Sequence, residues 1–143
     1  MRIDYSKNWR KLHWKGIESA YMHSPFFEFY MDEIGAILEK KHEFLLDLSL
    51  ESVEFGMQAL ELEGNYSLSD EFIEQVPGGC DDFRELIQPK LHPEGDPASH
   101  SEPYPQVFGD RHGFKKNLSI LDLLFNEGPN ARSVLEKCVK IRT

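Results

Sequence analysis

In NLSILDLLFNEGP, residues 117–129, one carboxylate and two hydrogen-bonding side chains interrupt an otherwise apolar run. If residues 118–125 form a helix, Ser119, Asp122 and Asn126 fall at i, i+3 and i+7 and make one narrow polar stripe on an apolar rod. Such a stripe can line a cleft, with Asp122 as general base or as the partner of an ammonium or hydroxyl group. The competing expectation is that the stripe faces water and that Asp122 pairs with Ser119 in a capping box, Asp being a shorter reach than the usual Glu. Unpaired charges are rarely buried, which favours this second reading.

His13 is the other candidate base. It shares an apolar stripe with Trp9 and lies beside Trp14, where burial would keep the imidazole neutral and able to take a proton near neutral pH. The alternative is a packed, hydrogen-bonded core histidine. His112, next to Arg111 in the loop before the polar stripe, suits an anion contact. In SPFFEFYMDE, aromatic residues surround Glu28 and end in Tyr30, a composition that serves either as a wall against a sugar or acyl group or as core between helices. Glu28 itself falls in a first helical turn, where the dipole favours a carboxylate. His92, Glu94, Asp96, His100 and Glu102 have the side chains of metal ligands, but a proline-broken loop in two-residue steps is no zinc spacing, so no metal is assigned. Patterns of the GxSxG, P-loop and GxGxxG kinds are absent, and the cofactor stays unknown.

These side chains need helices to hold them. Trp9, Leu12, His13, Gly16, Ile17, Ala20 and Tyr21 recur at helical spacing; Ser24-Pro25 then suits an N-cap and first turn of a second helix. Phe26, Phe27, Tyr30, Ile34, Ile37 and Leu38 continue that helix to Lys40-Lys41, and a third runs from Phe44 through Leu48, Val53 and Met57 to Leu60. Residues 8–62 are therefore expected to pack as antiparallel helices. Residues 63–103 are irregular, with a short strand in NYSLSDEFI, a short helix in DDFRELI and a proline-rich surface loop in QPKLHPEGDPASHSEP. Residues 104–143 read as a short edge strand at 104–108, a turn through Gly109-Asp110 and Gly113, a helix capped by Asn117 or Ser119 and stopped by Asn126, Gly128 and Pro129, and a last amphipathic helix at 130–139. The expected fold class is mainly α, antiparallel helices with a few short strands.

The bulk properties narrow the function. A chain of 143 residues is one domain long enough for a core, and a net charge of -9 without a basic cluster argues against nucleic acid. The start MRIDYSKNWRK has no apolar stretch behind its charges, and the longest apolar run, at residues 118–125, is too short to span a membrane. Cys80 and Cys138 form neither a CxxC pair nor a disulfide framework, so a soluble protein of the reducing cytoplasm is expected.

Two long stretches, IDYSKNWRKLHWKGIESAYMHSPFFEFY and PYPQVFGDRHGFKKNLSILDLLFNEGP, resemble the WbqC-like family. The resemblance runs from residue 2 to about residue 130 and is loosest over residues 64–101. Members of that family normally begin with a further strand-rich stretch, so the resemblance implies an N-terminally truncated chain, the C-terminal part of a larger α+β domain. It also implies a role in bacterial surface polysaccharide (O-antigen) biosynthesis, with transfer of an aminoacyl or acyl group to an amino sugar. The partners would be a sugar or nucleotide-sugar substrate and an activated acyl donor. The family supplies no catalytic residues to carry over, so roles follow from the chemistry. Amide formation needs a base for the ammonium and donors for the acyl oxyanion. Asp122 or His13 would be the base, Gln106, Asn117 and Asn126 the donors, and Trp14 and Tyr30 the sugar face. Glu28, Tyr104, His112, Ser119 and Glu127 complete the candidate substrate contacts. The rival reading is a non-catalytic binding or scaffold subunit of a polysaccharide assembly complex.

Overall fold

The computed structural model describes residues 1–80, 82, 84 and 102–138. Among the described residues six α-helices form: α1 (Trp9–Tyr21), α2 (Phe27–Glu39), α3 (Leu45–Ala59), α4 (Gly109–His112), α5 (Ile120–Glu127) and α6 (Ala131–Cys138), with a 3-10 turn (Gly128–Asn130) joining the last two. The expectation of a mainly helical chain is met. The expected short strands are not found among the described residues, nor is any sheet that would support a larger α+β domain. What remains is one antiparallel bridge between Arg2 and Phe44, in which Ile3 N–H donates to Glu43 O at 3.0 Å and Leu45 N–H to Met1 O at 3.0 Å. The physical reason is that strands need a ladder partner. Neither 65–73 nor 104–108 has one among the described residues, and the second segment spends its side chains on α5 before turning into α4. Of the short helix expected in DDFRELI only Asp82 and Arg84 are described, and the proline-rich loop lies almost wholly outside the described residues.

The core is shared by α2, α3, α5 and α6. Phe27, Tyr30 and Ile34 from α2 are buried, as their spacing implied, together with Phe55 and Leu60 from the α3 end and Ala131 and Val134 from α6. Between them runs α5, whose Leu124 and Phe125 are completely buried. Phe125 meets Tyr21 at 4.9 Å and Phe27 at 5.2 Å between ring centroids, so one ring ties α1, α2 and α5 together. At Gly56 α3 comes near α5; a Cβ there would make ordinary contact with Ile120, at 3.9 Å.

Helix α1 sits differently from its sequence pattern. No residue of it is fully buried, and the side that packs on the core carries Trp14, Ile17 and Tyr21, while Leu12 is 70% exposed and His13 is exposed. Two apolar lines overlap on this helix, and the Phe27 ring, 6.3 Å from Trp14, selects the one containing Trp14. Ser24 is another correction. Its hydroxyl donates to Tyr21 O at 2.7 Å, so it closes α1; Phe26 takes the N-cap place of α2 without a side-chain bond. At the other end of α2, Arg10 of α1 donates to Glu39 O at 2.6 Å and satisfies a carbonyl that the helix leaves open.

At the start of α5 the structure takes the second of the two expected caps, Asn117 or Ser119. Ser119 is the N-cap, and its hydroxyl accepts from Leu121 N–H at 3.3 Å. Ser119→Ala is expected to lower stability by about 1 kcal/mol, read as a shifted urea midpoint at unchanged slope.

Candidate functional site

Because α5 has helices on several sides, Asp122 and Asn126 of its polar stripe turn inward, while Ser119 stays exposed. Asp122 is only 3% exposed, so it faces neither an open cleft nor water. Tyr104 donates its hydroxyl to Oδ2 of Asp122 at 2.7 Å, and Gln106 Nε2 donates to the same oxygen at 3.3 Å. The Tyr21 hydroxyl, from the end of α1, also hydrogen-bonds the carboxylate. One carboxylate thus joins α1, the 104–106 segment and α5, accepting from neutral donors in the way a buried acid must be satisfied. The capping box does not close: Asp122 N–H donates to Ser119 O at 2.9 Å, but its carboxylate points away toward the phenols.

The donors are themselves held. Gln106 Nε2 also donates to Lys115 O at 2.9 Å and Gln106 Oε1 accepts from Lys115 N–H at 2.8 Å, which anchors the loop before α5. The Tyr104 ring stands edge-on to Phe114 at 5.3 Å. Burial pushes the Tyr104 phenol up in pKa; the Gln106 amide opposes this and the Asp122 carboxylate adds to it. The Tyr21 phenol is pushed up to about 12 by burial first, then by the charge and the hydrogen bond of Asp122. Both phenols therefore stay protonated donors at neutral pH.

The structure brings Tyr104, Gln106, Asp122 and Asn126 together and scatters the rest. Asn126 is buried and donates to Asp122 O at 2.7 Å, so its amide serves its own helix. Ser119 is exposed at the cap, and Asn117 is exposed with φ 55, a left-handed conformation that Asn tolerates. His13 is not buried as expected but exposed, and its ring stands edge-on to Trp9 at 5.5 Å. Glu28 is exposed in the first turn of α2, His112 is exposed at the end of α4, and Glu127 accepts from Asn130 at 2.6 Å. Tyr30 is 4% exposed, with its ring edge-on to Phe29 at 4.8 Å and to Phe55 at 6.2 Å. With Phe27 it makes core, which is the ordinary reading of that aromatic run. Of the five residues with metal-ligand side chains only Glu102 is described, and among the described residues no group of three or more His, Cys, Asp or Glu stands where it could hold a metal ion. No helix among them is long and apolar enough to cross a membrane.

Sequence reasoning missed two features. The first is a groove of about 780 Å³ between α1 and α2, walled by Trp14, with Gly35 and Ala36 along α2 and Lys11, Asp32 and Glu39 around it. Asp32 and Glu39 are seven residues apart on one helix face, a spacing visible in the sequence but without meaning until α1 lay opposite. Asp122 does not line this groove. The second is His42, 6% exposed, whose Nε2 lies 2.5 Å from Oε2 of Glu51 and whose buried Nδ1 has no partner among the described residues. Glu51 also accepts from Lys40 at 2.8 Å, and the hydrogen bonds from Lys40 and then His42 hold its carboxyl below its ordinary range. His42 and Glu51 lie on opposite sides of the turn into α3, and nothing in their spacing announced the pair.

Comparison with known proteins bears on the whole arrangement. The sequence profile of the WbqC-like protein family matches residues 1–84 and 96–134, which takes in α1, α2, α3, α4 and α5. No curated protein and no solved structure matches the chain significantly. The matched residues include both the α1–α2 groove and the Asp122 cluster, and they make up most of the sequence; the chain belongs to the WbqC-like protein family.

Proposed function

We propose that this WbqC-like chain acts in bacterial surface polysaccharide (O-antigen) biosynthesis, transferring an aminoacyl or other acyl group from an activated donor to the amine of an amino sugar. The observation that carries the proposal is the α1–α2 groove of about 780 Å³, which offers an indole wall and charged side chains of both signs to a small polar substrate. In the reaction the free amine attacks the acyl carbonyl, the new C–N bond displaces the donor's leaving group, and the amine's surplus proton passes to a base. Of the two bases suggested by the sequence, His13 is open to solvent, whereas Asp122 is covered by Tyr21, Tyr104 and Gln106 and takes a substrate proton only if they move aside.

A second reading, a non-catalytic binding or scaffold subunit, is favoured by exposed apolar side chains: Leu12 is 70% and Phe29 72% exposed. Mass spectrometry of surface polysaccharide from a strain lacking this chain separates the two. Loss of an acyl substituent from an otherwise intact polymer is expected for the transferase. Loss of the polymer itself supports the scaffold, and an unchanged polysaccharide rejects both.

A further inference from the structure

We infer that the outer face of α3 is the docking surface for a basic amphipathic helix of another protein. The partner's apolar side chains lie along Leu46, Leu50, Val53 and Met57, and its Lys or Arg side chains meet Asp47, Glu54 and Glu63. This goes beyond the transferase and scaffold readings above and uses neither the α1–α2 groove nor the Asp122 cluster.

Helix α3 is apolar on two sides. Phe55, Gly56 and Ala59 face the core. Leu46, Leu50, Val53 and Met57 recur at steps of four, three and four, which on a helix makes a second apolar line about 16 Å long. That spacing is the one by which a helix seats a second helix. None of the four builds the core or packs on it, and Leu46 is 50% and Val53 54% exposed. Single exposed apolar side chains are ordinary, whereas a continuous line of them marks a contact surface. The line ends in a recess. After α3 the chain folds back, Leu62 N–H donating to Met57 O at 2.9 Å and the Tyr66 hydroxyl to Glu54 Oε1 at 2.5 Å. Gly64 crosses so close to the Met57 methyl that a Cβ there has no room. The recess holds about 740 Å³, and its lining includes Glu54, Met57, Leu62, Glu63 and Tyr66. An apolar side chain entering it meets Met57, Leu62 and the Tyr66 ring, and a cation beside it meets two carboxylates.

The charge around the line selects the partner. Residues 43–83 contain eleven Asp or Glu and no Lys, Arg or His, although the whole chain has 16 Lys and Arg. On α3 itself Asp47 and Glu54 are exposed and stand two turns apart along one border of the apolar line. Neither of them, nor Glu63, has an ion pair among the described residues. A second copy of the chain would bring the same acids to the same line, and antiparallel pairing would set Asp47 against Glu54. A helix that lies on an anionic membrane borders its apolar side with Lys and Arg, and α3 has neither. A partner helix with Lys or Arg beside its apolar side chains satisfies both the line and its border.

The test is fluorescence anisotropy of a labelled peptide of about three heptads, with Leu at its a and d positions and Lys beside them, titrated with the full chain. The same peptide with Glu in place of Lys is the comparison. The Lys peptide is expected to bind saturably and the Glu peptide at least roughly tenfold more weakly. Leu46→Ser with Val53→Ser should weaken the Lys peptide by at least roughly tenfold and leave the helical circular dichroism and urea midpoint as in the parent, since both side chains lie outside the core. Asp47→Lys with Glu54→Lys should reverse the preference, so that the Glu peptide binds better than the Lys peptide. That reversal separates a site from general attraction to an acidic chain. Equal binding of the two peptides, undiminished binding of the Lys peptide by the Leu46 and Val53 double variant, or an unreversed preference overturns the inference. A parent chain that sediments as a dimer, or floats with anionic vesicles, where the Leu46 and Val53 double variant does neither, also overturns it, because the occupant is then a second copy or a membrane.

Discussion

Asp122→Ala is expected to destabilise the protein by about 3 kcal/mol, more than a hundredfold in the unfolding equilibrium. The change deletes no long-range ion pair. Instead it strands donors: the Tyr104 hydroxyl and the Gln106 amide from one segment and the Tyr21 hydroxyl from α1 converge on this carboxylate. Each buried donor left without an acceptor costs about 1–3 kcal/mol, and partial relaxation or a penetrating water recovers some of the sum. Asp122→Asn retains an acceptor oxygen and should lose about half as much. Tyr104→Phe should cost about 1 kcal/mol, and the cycle joining it to Asp122→Ala should show a coupling of about 1–2 kcal/mol. Urea denaturation of the four proteins measures this, and a loss below about 0.5 kcal/mol for Asp122→Ala would show that the cluster does not hold the fold.

The same cluster gives a signed dependence on pH. Tyr21 has its phenol raised from 10.0 to about 12 in the folded chain, so between these values the folded state keeps a proton that the unfolded state has released. Its contribution is fully present below pH 10 and is lost as pH rises toward 12. Phenolate absorbance and helical circular dichroism should therefore change together in that window, and Tyr21→Phe should move the transition.

Gly128→Ala is expected to cost about 3 kcal/mol, and Gly128→Val more. Gly128 has φ 51 and ψ -123, a conformation that side-chain-bearing residues rarely adopt, and it is where α5 gives way to the 3-10 turn. A Cβ there would stand 2.5 Å from Phe26 Cδ1 and Cγ. The Phe26 ring cannot retreat easily, because its backbone N–H donates to Phe125 O at 2.9 Å and pins the start of α2 to the end of α5. Backbone strain contributes about 1–3 kcal/mol and overpacking a similar amount. Pairing Gly128→Ala with Phe26→Ala separates the two, since the smaller side chain relieves the clash and leaves the strained φ. A Gly128→Ala protein that melts with the parent would mean the turn can change its conformation without loss.

Periodicity made much of the helical part legible. Phe27, Tyr30 and Ile34 could be assigned to a buried face because three helical turns of aromatic and aliphatic residues have only one way to hide together. A cap at Asn117 or Ser119 and a stop through Asn126, Gly128 and Pro129 were equally visible, since those roles depend on a few adjacent backbone angles, and the structure takes Ser119 and Gly128. Local pattern failed where two answers were equally regular. α1 carries two overlapping apolar lines, and the one with His13 lost to the one with Trp14. Residues 104–108 had the look of an edge strand, but an edge exists only beside another strand.

The polar stripe of α5 marks the boundary between the two kinds of information. The sequence by itself determined that Ser119, Asp122 and Asn126 would share one side of a helix, because 3.6 residues per turn is a property of the backbone. Only the tertiary structure decided what that side would meet, because Tyr21 lies 101 residues earlier in the chain than Asp122 and its hydroxyl reaches the carboxylate only after α1 has packed on Phe125. The α1–α2 groove was undecided in the sequence for the same reason: Trp14, Asp32 and Glu39 become one surface through the packing of two helices, which neither helix specifies alone.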